Sequence, residues 1–327
     1  MWITRRALTS ATIAAGLPVA ALAQQSTGWP ARPIRIVVGY PPGGTTDILA
    51  RLVAERLHSA LGQPVLVENR SGAAGNIGAE LVAKSPPDGY TLQMGTAGNM
   101  TINPSVYATM PVDTVRDFQA ISMVAQVPNV MVVHPSVPAR TVQEFIDWAR
   151  ARPGQVFFGS SGTGNSPHLS GEMFAQQTGL QLVHVPYRGS GPALAALVAA
   201  QGVQVMWDNL PSAIGHVRDG RLRALAVTGA GRAAALPEVP TMREAGLPEY
   251  EVVAWFGLFA PAGTPRPVVD RLHRETVATL RLPELRQRIV QLGAEPVGNS
   301  PDEFAAIVVR DIAKWRPVVR AAGVRVE

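Results

Sequence analysis

The stretch Ile34-Arg-Ile-Val-Val-Gly-Tyr-Pro-Pro-Gly-Gly-Thr-Thr-Asp47, with the apolar pattern that follows it to Leu61, decides the fold. The apolar run at its start predicts a buried strand that ends at Gly39. From Ile48 onward the apolar residues recur with helical spacing, which predicts an amphipathic helix closed by Gly62. The stretch therefore predicts a strand–turn–helix unit of an α/β fold.

The turn between these two elements, residues 39–47, has the composition of an anion seat. Pro41 and Pro42 stiffen it, while Gly43 and Gly44 allow a ligand to approach the backbone closely. The first N–H groups of the following helix lack partners within the helix, and the helix dipole favours negative charge there. We therefore expect a carboxylate seat. The structural alternative is an ordinary strand-to-helix turn that uses Gly and Pro only for shape.

Two phosphate-binding motifs are excluded at this turn. A P-loop requires Gly-Lys-Ser/Thr where the helix begins, and the turn contains no Lys. A dinucleotide fingerprint requires G-x-G-x-x-G, a spacing that the three glycines of the turn do not supply.

The composition is that of a soluble globular protein, with 46% hydrophobic and 16% charged residues in a chain of 327. That length predicts two domains. The absence of cysteine excludes disulfides, thiol catalysis and cysteine–metal sites. The formal charge is +5, and its basic residues are scattered, so we expect no nucleic-acid partner.

Residues 1–23 have the pattern of a bacterial export signal. Arg5 and Arg6 precede an apolar run that ends Ala21-Leu22-Ala23, an A-x-A cleavage pattern. The run is shorter than the roughly 20 apolar residues that span a bilayer. We expect cleavage near Ala23 and a periplasmic protein that does not itself span the membrane. The sequence does not distinguish the Sec route from the twin-arginine route.

The rest of the chain alternates strands, polar loops and helices, which predicts two α/β lobes with a ligand cleft between them. The predicted division is residues 27–125 for the first part of lobe 1, residues 126–249 for lobe 2, and residues 250–327 for the return to lobe 1 and the C-terminal helices. Residues 95–100 are predicted as a loop. The apolar run 121–133, which Pro128 interrupts, is predicted as a strand that passes between the domains. Two helices, 266–280 and 301–319, are predicted near the C-terminus.

The candidate ligand-binding residues lie in the loops that follow predicted strands, where open α/β sheets bind their ligands. They are Tyr40, Gly43, Gly44, Thr45, Thr46, Asp47, Thr96, Asn99, Ser160, Ser161, Thr163, Asn165, Tyr187 and Asp208. Asp47 has two interpretations, as a cap for the helix N-terminus or as an acceptor for an amino group of the ligand. The roles of Asp208 and His168 are left open.

The same residues argue against catalysis. The chain lacks a G-x-S-x-G elbow and an H-E-x-x-H pair, so we expect no catalytic residue, no metal and no cofactor. Small hydroxyl and amide side chains, together with exposed glycine backbone, favour the binding and release of a ligand over covalent chemistry. An exported hydrolase that uses Ser161 with His168 or His184 is the enzymatic alternative.

Seven motifs recur together and in order along the chain. They are Tyr40-Pro-Pro-Gly-Gly-Thr-Thr-Asp47, Glu68-Asn-Arg-Ser-Gly-Ala-Ala-Gly75, Pro87-Asp-Gly-Tyr-Thr-Leu92, His184-Val-Pro-Tyr-Arg-Gly189, Leu236-Pro-Glu-Val-Pro-Thr241, Glu244-Ala-Gly246 and Ala260-Pro-Ala-Gly-Thr-Pro265. This set closely resembles the Bug-type periplasmic substrate-binding proteins of tripartite tricarboxylate transporters, across essentially the whole mature chain. Pro42 departs from the Ala that family members often have there, which changes the shape of the turn and leaves its backbone intact.

The resemblance implies a two-lobed Venus-flytrap fold, type II-like, that closes on a small carboxylate or related anion. It implies that backbone N–H groups and waters hold the carboxylate, in the loops 40–47 and 160–165. Thr96, Asn99, Tyr187 and Asp208 are implied as further contributors. The implied partner is a membrane permease that is a separate protein, with the receptor itself a monomer. A binding protein of the same fold that signals to a membrane sensor is the alternative.

Overall fold

The computed structural model describes residues 28–327, so the predicted export signal and its cleavage near Ala23 lie outside the described residues. The strands are β1 Ile34–Val38, β2 Val65–Asn69, β3 Thr91–Thr96, β4 Phe118–Val133, β5 Val156–Ser160, β6 Leu182–Pro186, β7 Val205–Asn209, β8 Arg223–Val227, β9 Val253–Pro261 and β10 Glu295–Pro296. The helices are α1 Thr45–Leu61, α2 Asn76–Ala83, α3 Asn103–Val106, α4 Val142–Arg150, α5 Ser166–Thr178, α6 Ser190–Val198, α7 Leu210–Arg218, α8 Arg266–Arg281, α9 Pro283–Gln291 and α10 Pro301–Ala321. A short 3₁₀ turn, Ala73–Gly75, and a π-helical turn, Gly98–Ile102, precede α2 and α3.

The strands form two α/β lobes that share one strand. In the first lobe the order is β2-β1-β3-β9-β4, with β1, β2 and β3 parallel and β9 antiparallel to both of its neighbours. In the second lobe β4 lies between β7 and β8, and β7, β5 and β6 continue the sheet in parallel. The parallel strands of both lobes are followed by helices, so their carboxyl ends lead into helix N-termini.

Strand β4 passes from one lobe to the other, as predicted for the apolar run 121–133, and Pro128 does not end it. Residues up to Pro128 pair with β9, and from Asn129 onward the strand pairs with β7 and β8. Proline cannot donate a ladder hydrogen bond, and here it stands at the point where the strand changes partners. The strand therefore tolerates it. The lobe boundaries themselves stay a prediction.

Buried side chains cover both faces of each sheet. The helices α1, α8 and α9 bury one face of the first lobe, with Leu49, Val53 and Leu57 of α1 fully enclosed. The C-terminal helix α10 contacts both lobes: its first half packs against β9 through Phe304, and its second half joins the core of the second lobe through Trp315.

Several predicted elements are correct in type and position. Gly62 ends α1 in the left-handed conformation, and the predicted helix 301–319 is present as α10. Ser300 Oγ accepts the Glu303 N–H at its start, and the Glu303 carboxylate accepts the Ser300 N–H. The prediction of a loop at 95–100 is wrong, because β3 continues to Thr96 and the π-helical turn follows at once. Helices α7 and α9 were not predicted, although each has a proline in its first turn, the position that tolerates it.

A close backbone approach fixes the turn after β1. A Cβ added at Gly39 would lie 2.7 Å from Gly75 Cα, in the turn that precedes α2. We predict that Gly39→Ala lowers the free energy of unfolding by about 1–3 kcal/mol, because backbone must move to relieve the overlap. Gly215→Ala, on open surface in α7, is the matched control and should be neutral or stabilising by up to about 1 kcal/mol. Urea unfolding measures both; equal effects would contradict the close approach.

Candidate functional site

Four helices begin at one small cavity between the lobes. The cavity has a volume of about 30 Å³, room for about two water molecules. Its walls include the first residues or caps of α1 from the first lobe and of α5, α6 and α7 from the second. These residues are Gly44, Thr45, Thr46, Asn165, Ser166, Pro167, Ser190 and Asn209.

The electrostatic character of this inner cavity comes from backbone and neutral side chains. No charged side chain among residues 28–327 lines it. The first turns of α1, α6 and α7 have no side-chain cap, whereas in α5 Asn165 Oδ1 accepts the His168 N–H at 3.1 Å. Each of the four dipoles adds partial positive charge at its N-terminal end. The arrangement favours a small anion without a buried Lys or Arg.

A larger outer chamber, of about 500 Å³, adjoins the inner cavity. Tyr40 and Ser161 line both spaces and stand at their junction. The 71–75 loop, Thr163, Tyr187 and Arg188 also line the outer chamber. The inner cavity is the smaller space, with hydroxyl and amide groups on one part of its wall and Ala254 and Phe256 on another, and the outer chamber is the wider space.

The predicted site residues fall into three groups. Those on the inner cavity are Tyr40, Gly44, Thr45, Thr46, Thr96, Ser161 and Asn165. The outer chamber adds Thr163 and Tyr187. The remaining five, Gly43, Asp47, Asn99, Ser160 and Asp208, hold other residues of the site in place. Direct contact of any of these with a ligand stays a prediction.

Asp47 caps the turn that it follows. Its carboxylate accepts the Gly43 N–H at 3.1 Å, two bonds from Arg51 Nε at 3.0 Å, and one from Asn69 Nδ2 at 3.0 Å. The Gly43 N–H is therefore not free for a ligand. Burial alone would raise the pKa of Asp47, but these hydrogen bonds outweigh it and hold the pKa below its ordinary value.

Tyr40 and Thr96 are fixed by neighbouring groups. The Tyr40 hydroxyl donates to Ala74 O at 2.9 Å and lies 3.4 Å from Thr96 Oγ1. Burial raises the pKa of Tyr40 to about 12, so its phenol stays neutral. Asn99 accepts from both the N–H and the hydroxyl of Thr96, at 2.8 and 2.9 Å. The first lobe thus presents a rigid polar wall.

In the second lobe, a contact between Ser160 and His184 holds the loop between β5 and α5. Ser160 Oγ lies 2.6 Å from His184 Nε2 and accepts the Gly162 N–H at 3.3 Å. The ring of His168 stacks on His184 with centroids 3.8 Å apart. Burial, with the nearby His168, lowers the pKa of His184 to about 3, so this ring stays neutral. The contact supports the loop from behind, because Ser160 is fully buried.

The geometry does not support the hydrolase alternative, because neither candidate histidine is placed as a general base for Ser161. Ser161 Oγ accepts from Asn165 Nδ2 at 2.9 Å. His184 faces Ser160 instead, and His168 accepts the Gly164 N–H at 3.1 Å and lies 3.3 Å from Glu172. Neither histidine activates Ser161 in this arrangement.

Asp208 is fully buried beneath the cavity wall. It accepts hydrogen bonds from Ser190 Oγ at 2.7 Å and from Ser212 Oγ at 2.5 Å. Burial raises the pKa of Asp208 to about 6, although the hydrogen bonds from Ser190, Ser212 and the Asn209 backbone N–H act in the opposite direction. A carboxyl next to an anion site and with such a pKa can exchange a proton near neutral pH.

Sequence reasoning missed several residues of the cavity wall. Ser166, Ser190 and Asn209 follow strand ends and open helices, so that signal was present in the sequence. Ala254 and Phe256 come from the middle of β9, where no local pattern marks a ligand contact. They form an apolar part of the wall.

Neither a metal-binding cluster nor a helix suited to cross a membrane is found in the described part of the chain. Residues 28–327 contain no group of three or more His, Asp or Glu side chains placed to hold a metal ion. No helix in this range combines the length and hydropathy needed to cross a bilayer.

A family model described as the tripartite tricarboxylate transporter family receptor matches residues 49–324. The chain belongs to this family. The receptor is similar to the protein BugT of Bordetella pertussis, with 37% identity over 300 residues that cover 91% of this chain and 92% of BugT. The predicted Bug-type resemblance is confirmed, and the family is one of periplasmic solute receptors.

Solved structures extend the comparison to the fold. Rpa4515 of R. palustris, solved with adipate, matches with a TM-score of 0.89 and 42% identity, over 91% of the receptor and 99% of Rpa4515. MatC (Rpa3494) from Rhodopseudomonas palustris, solved with bound malate, matches with a TM-score of 0.84 and 32% identity, over 89% of the receptor and 100% of MatC. The predicted two-lobed, Venus-flytrap fold of periplasmic binding proteins is confirmed.

The capping role of Asp47 generates a pH-dependent prediction. Asp47→Asn should lower the free energy of unfolding by about 1–3 kcal/mol at pH 7, because the buried bonds to a charged acceptor weaken. A carboxyl whose pKa is lowered on folding stabilises the fold above its unfolded pKa, and this contribution is lost as pH falls through the folded pKa. The difference between variant and wild type should therefore shrink in acid.

The control for this prediction is Asp270→Asn in α8, which removes an exposed pair with Arg266. It should cost less than about 0.5 kcal/mol. Urea unfolding at several pH values checks both variants, and a pH-independent deficit in Asp47→Asn would contradict the assigned role.

Proposed function

We propose that this receptor binds a small dicarboxylate between its lobes, with one carboxylate group in the inner cavity and the rest of the ligand in the outer chamber. The observation that carries the proposal is the convergence of four helix N-termini on a cavity with no charged side chain in its wall. Relatives solved with adipate and with bound malate support a dicarboxylate ligand.

The sizes of the two spaces support this placement. The inner cavity, about 30 Å³, has room for a group of a few atoms. The outer chamber, about 500 Å³, has room for a carbon chain and a second polar group. A ligand that passes between Tyr40 and Ser161 would reach both. The exposed Arg188 at the outer chamber is suited to a second carboxylate.

Hydrogen bonds to backbone N–H groups are sufficient for such a ligand. Charge-assisted hydrogen bonds contribute about 1.5–3 kcal/mol each. A micromolar complex requires about 8 kcal/mol net. A few bonds at helix N-termini, less the cost of association, reach that value. The ligand is held by geometry and dipoles, and no covalent step is required, so we propose that the receptor is not an enzyme.

Contacts between the lobes support capture by closure. Thr45 Oγ1 of the first lobe donates to Ser212 Oγ of the second at 3.0 Å. The side chain of Pro41 lies within 3 Å of the position that a Cβ at Gly189 would occupy. An inner cavity of this size exchanges a ligand only when the lobes separate. Closure follows if the ligand contacts both lobes only in the closed state. We retain the division at residues 125/126 and 249/250 as part of this proposal.

We further propose export, cleavage near Ala23, a monomeric mature protein and delivery to a separate permease. Intact mass of protein from the periplasm would give the cleavage site, and its sedimentation would give the oligomeric state. A pull-down from solubilised membranes would distinguish permease subunits from a sensor protein, the alternative partner.

The backbone donor of Thr45 provides a test of the anion seat. Proline is tolerated at the first position of a helix, and Gly44 already has the extended conformation required before proline, with ψ of 165°. We predict that Thr45→Pro weakens carboxylate binding about 10- to 100-fold, because one charge-assisted donor is lost.

Thr45→Val is the matched control, since it removes the hydroxyl and keeps the N–H. It should weaken binding less than Thr45→Pro. Calorimetric titration with the best ligand of a panel of mono- and dicarboxylates, including adipate and malate, measures both variants. Equal loss in the two variants, or no carboxylate bound by wild-type protein, would contradict the proposal.

A further inference from the structure

Asp208 belongs to a buried chain of hydroxyl groups that joins the two lobes. Thr45 Oγ1 donates to Ser212 Oγ at 3.0 Å, Ser212 Oγ donates to Asp208 Oδ2 at 2.5 Å, and Ser190 Oγ donates to Asp208 Oδ1 at 2.7 Å. We call these four residues the Asp208 chain. Its two ends, Thr45 and Ser190, both line the inner cavity.

The charge of Asp208 determines the direction of these hydrogen bonds. An ionised carboxylate only accepts, and it is a stronger acceptor than the Asn209 carbonyl oxygen, which also lies 2.8 Å from Ser212 Oγ. The hydroxyl protons of Ser190 and Ser212 are therefore both directed at Asp208. Ser212 then accepts the proton of Thr45. In this state all three hydroxyl protons are used within the chain. Ser190 and Thr45 can offer only lone pairs to the cavity, and lone pairs repel an anionic ligand.

Protonation of Asp208 releases one of these donors. A neutral carboxyl carries one O–H and keeps acceptor capacity on its other oxygen. When Oδ1–H donates to Ser190 Oγ, the proton of Ser190 is free to turn toward the cavity. Ser212 continues to donate to Oδ2, and Thr45 continues to donate to Ser212. A donor thus replaces a lone pair at the cavity wall, and a buried negative charge is removed from beneath it.

We propose that Asp208 is a proton-binding site coupled to the anion site, so that the receptor takes up a proton with each carboxylate it binds. The proposal rests on the proposed function, because the coupled ligand is the anion in the inner cavity. Proton and anion each favour the binding of the other, since the complex avoids two negative charges separated by one serine.

Within the described part of the chain, the titratable groups on the elements around β7 make no hydrogen bond to Asp208, so the proposed proton binding is assigned to Asp208 itself. Among the elements packed against β7, the strands β4 and β5 and the helix α6 carry no titratable side chain. The titratable or charged groups of the other neighbours are His168 and Glu172 on α5, His216 and Arg218 on α7, and Asp47 and Arg51 at the start of α1. None of these hydrogen-bonds to Asp208 in residues 28–327, where its side-chain partners are Ser190 and Ser212.

The behaviour of the buried groups agrees with this assignment. Burial raises the pKa of Asp208 to about 6, which brings its titration close to neutral pH. The pKa of His184 is lowered to about 3 by burial, so that ring does not change charge in the same range. Asp47 is held ionised by its hydrogen bonds.

The first test is calorimetric titration of the wild-type receptor with the best carboxylate of the panel, between pH 6 and pH 8. We expect the dissociation constant to rise with pH, by at least about threefold over this range and at most about tenfold per pH unit, the limit for one linked proton. Titration at pH 7 in buffers of different ionisation enthalpy should show net proton uptake. Uptake of no proton together with a pH-independent affinity would overturn the inference.

The second test is Asp208→Asn, because Asn, like a protonated Asp, is neutral and places a donor group beside an acceptor oxygen. This variant should bind at pH 8 about as tightly as wild type does at pH 6, with no proton uptake. It retains His168, so it separates Asp208 from that histidine. Weakened binding at all pH values in a folded variant would show that the charged form is the competent one and would overturn the inference.

Ser190→Ala is a third variant that does not depend on the folding of Asp208→Asn. It removes the donor that protonation releases, so affinity should fall more at pH 6 than at pH 8. A pH profile that keeps its wild-type slope would count against the role of Ser190. If wild-type protein binds no carboxylate, the proposed function fails; if it binds one with no pH dependence, the inference alone fails.

Discussion

The structure depends on the unpaired N–H groups at the beginning of helices, which cannot be satisfied within their own helix. Four such ends meet at one small cavity between two lobes. A single helix end attracts an anion weakly when water screens it, whereas four ends around an enclosed space act together with little solvent between them. These ends favour an anion without a charged side chain in the wall.

The residues behind the wall matter as much as those in it. Asp47 takes the Gly43 N–H and ties the turn to Arg51 and Asn69, and Asn99 fixes Thr96. In the second lobe, His184 contacts Ser160 and supports the loop before α5. Each lobe thus uses buried hydrogen bonds to hold its half of the site before a ligand arrives, which reduces the entropy lost on binding.

Much of this architecture could be predicted from local patterns. The strand and helix around residues 39–47, the start of α10 after Ser300, and the loops after strand ends all carry short-range signals. The meeting of α1 with α6 and α7 depends on tertiary packing, which no local pattern shows. The same limit explains why Asp208 had no assigned role and why Ala254 and Phe256 of β9 were missed. The crossing of β4 between the lobes was predicted from its apolar run, whereas the change of strand partners at Pro128 depends on tertiary pairing.

The continuity of β4 has a consequence for how the protein acquires its structure. One half of the strand completes the first sheet and the other half completes the second, so each lobe contains an element whose remainder belongs to its neighbour. A lobe produced alone would expose unpaired edge groups, which promote aggregation. The two lobes must therefore be made as one chain, and their assembly requires pairing between segments far apart in sequence, which slows folding.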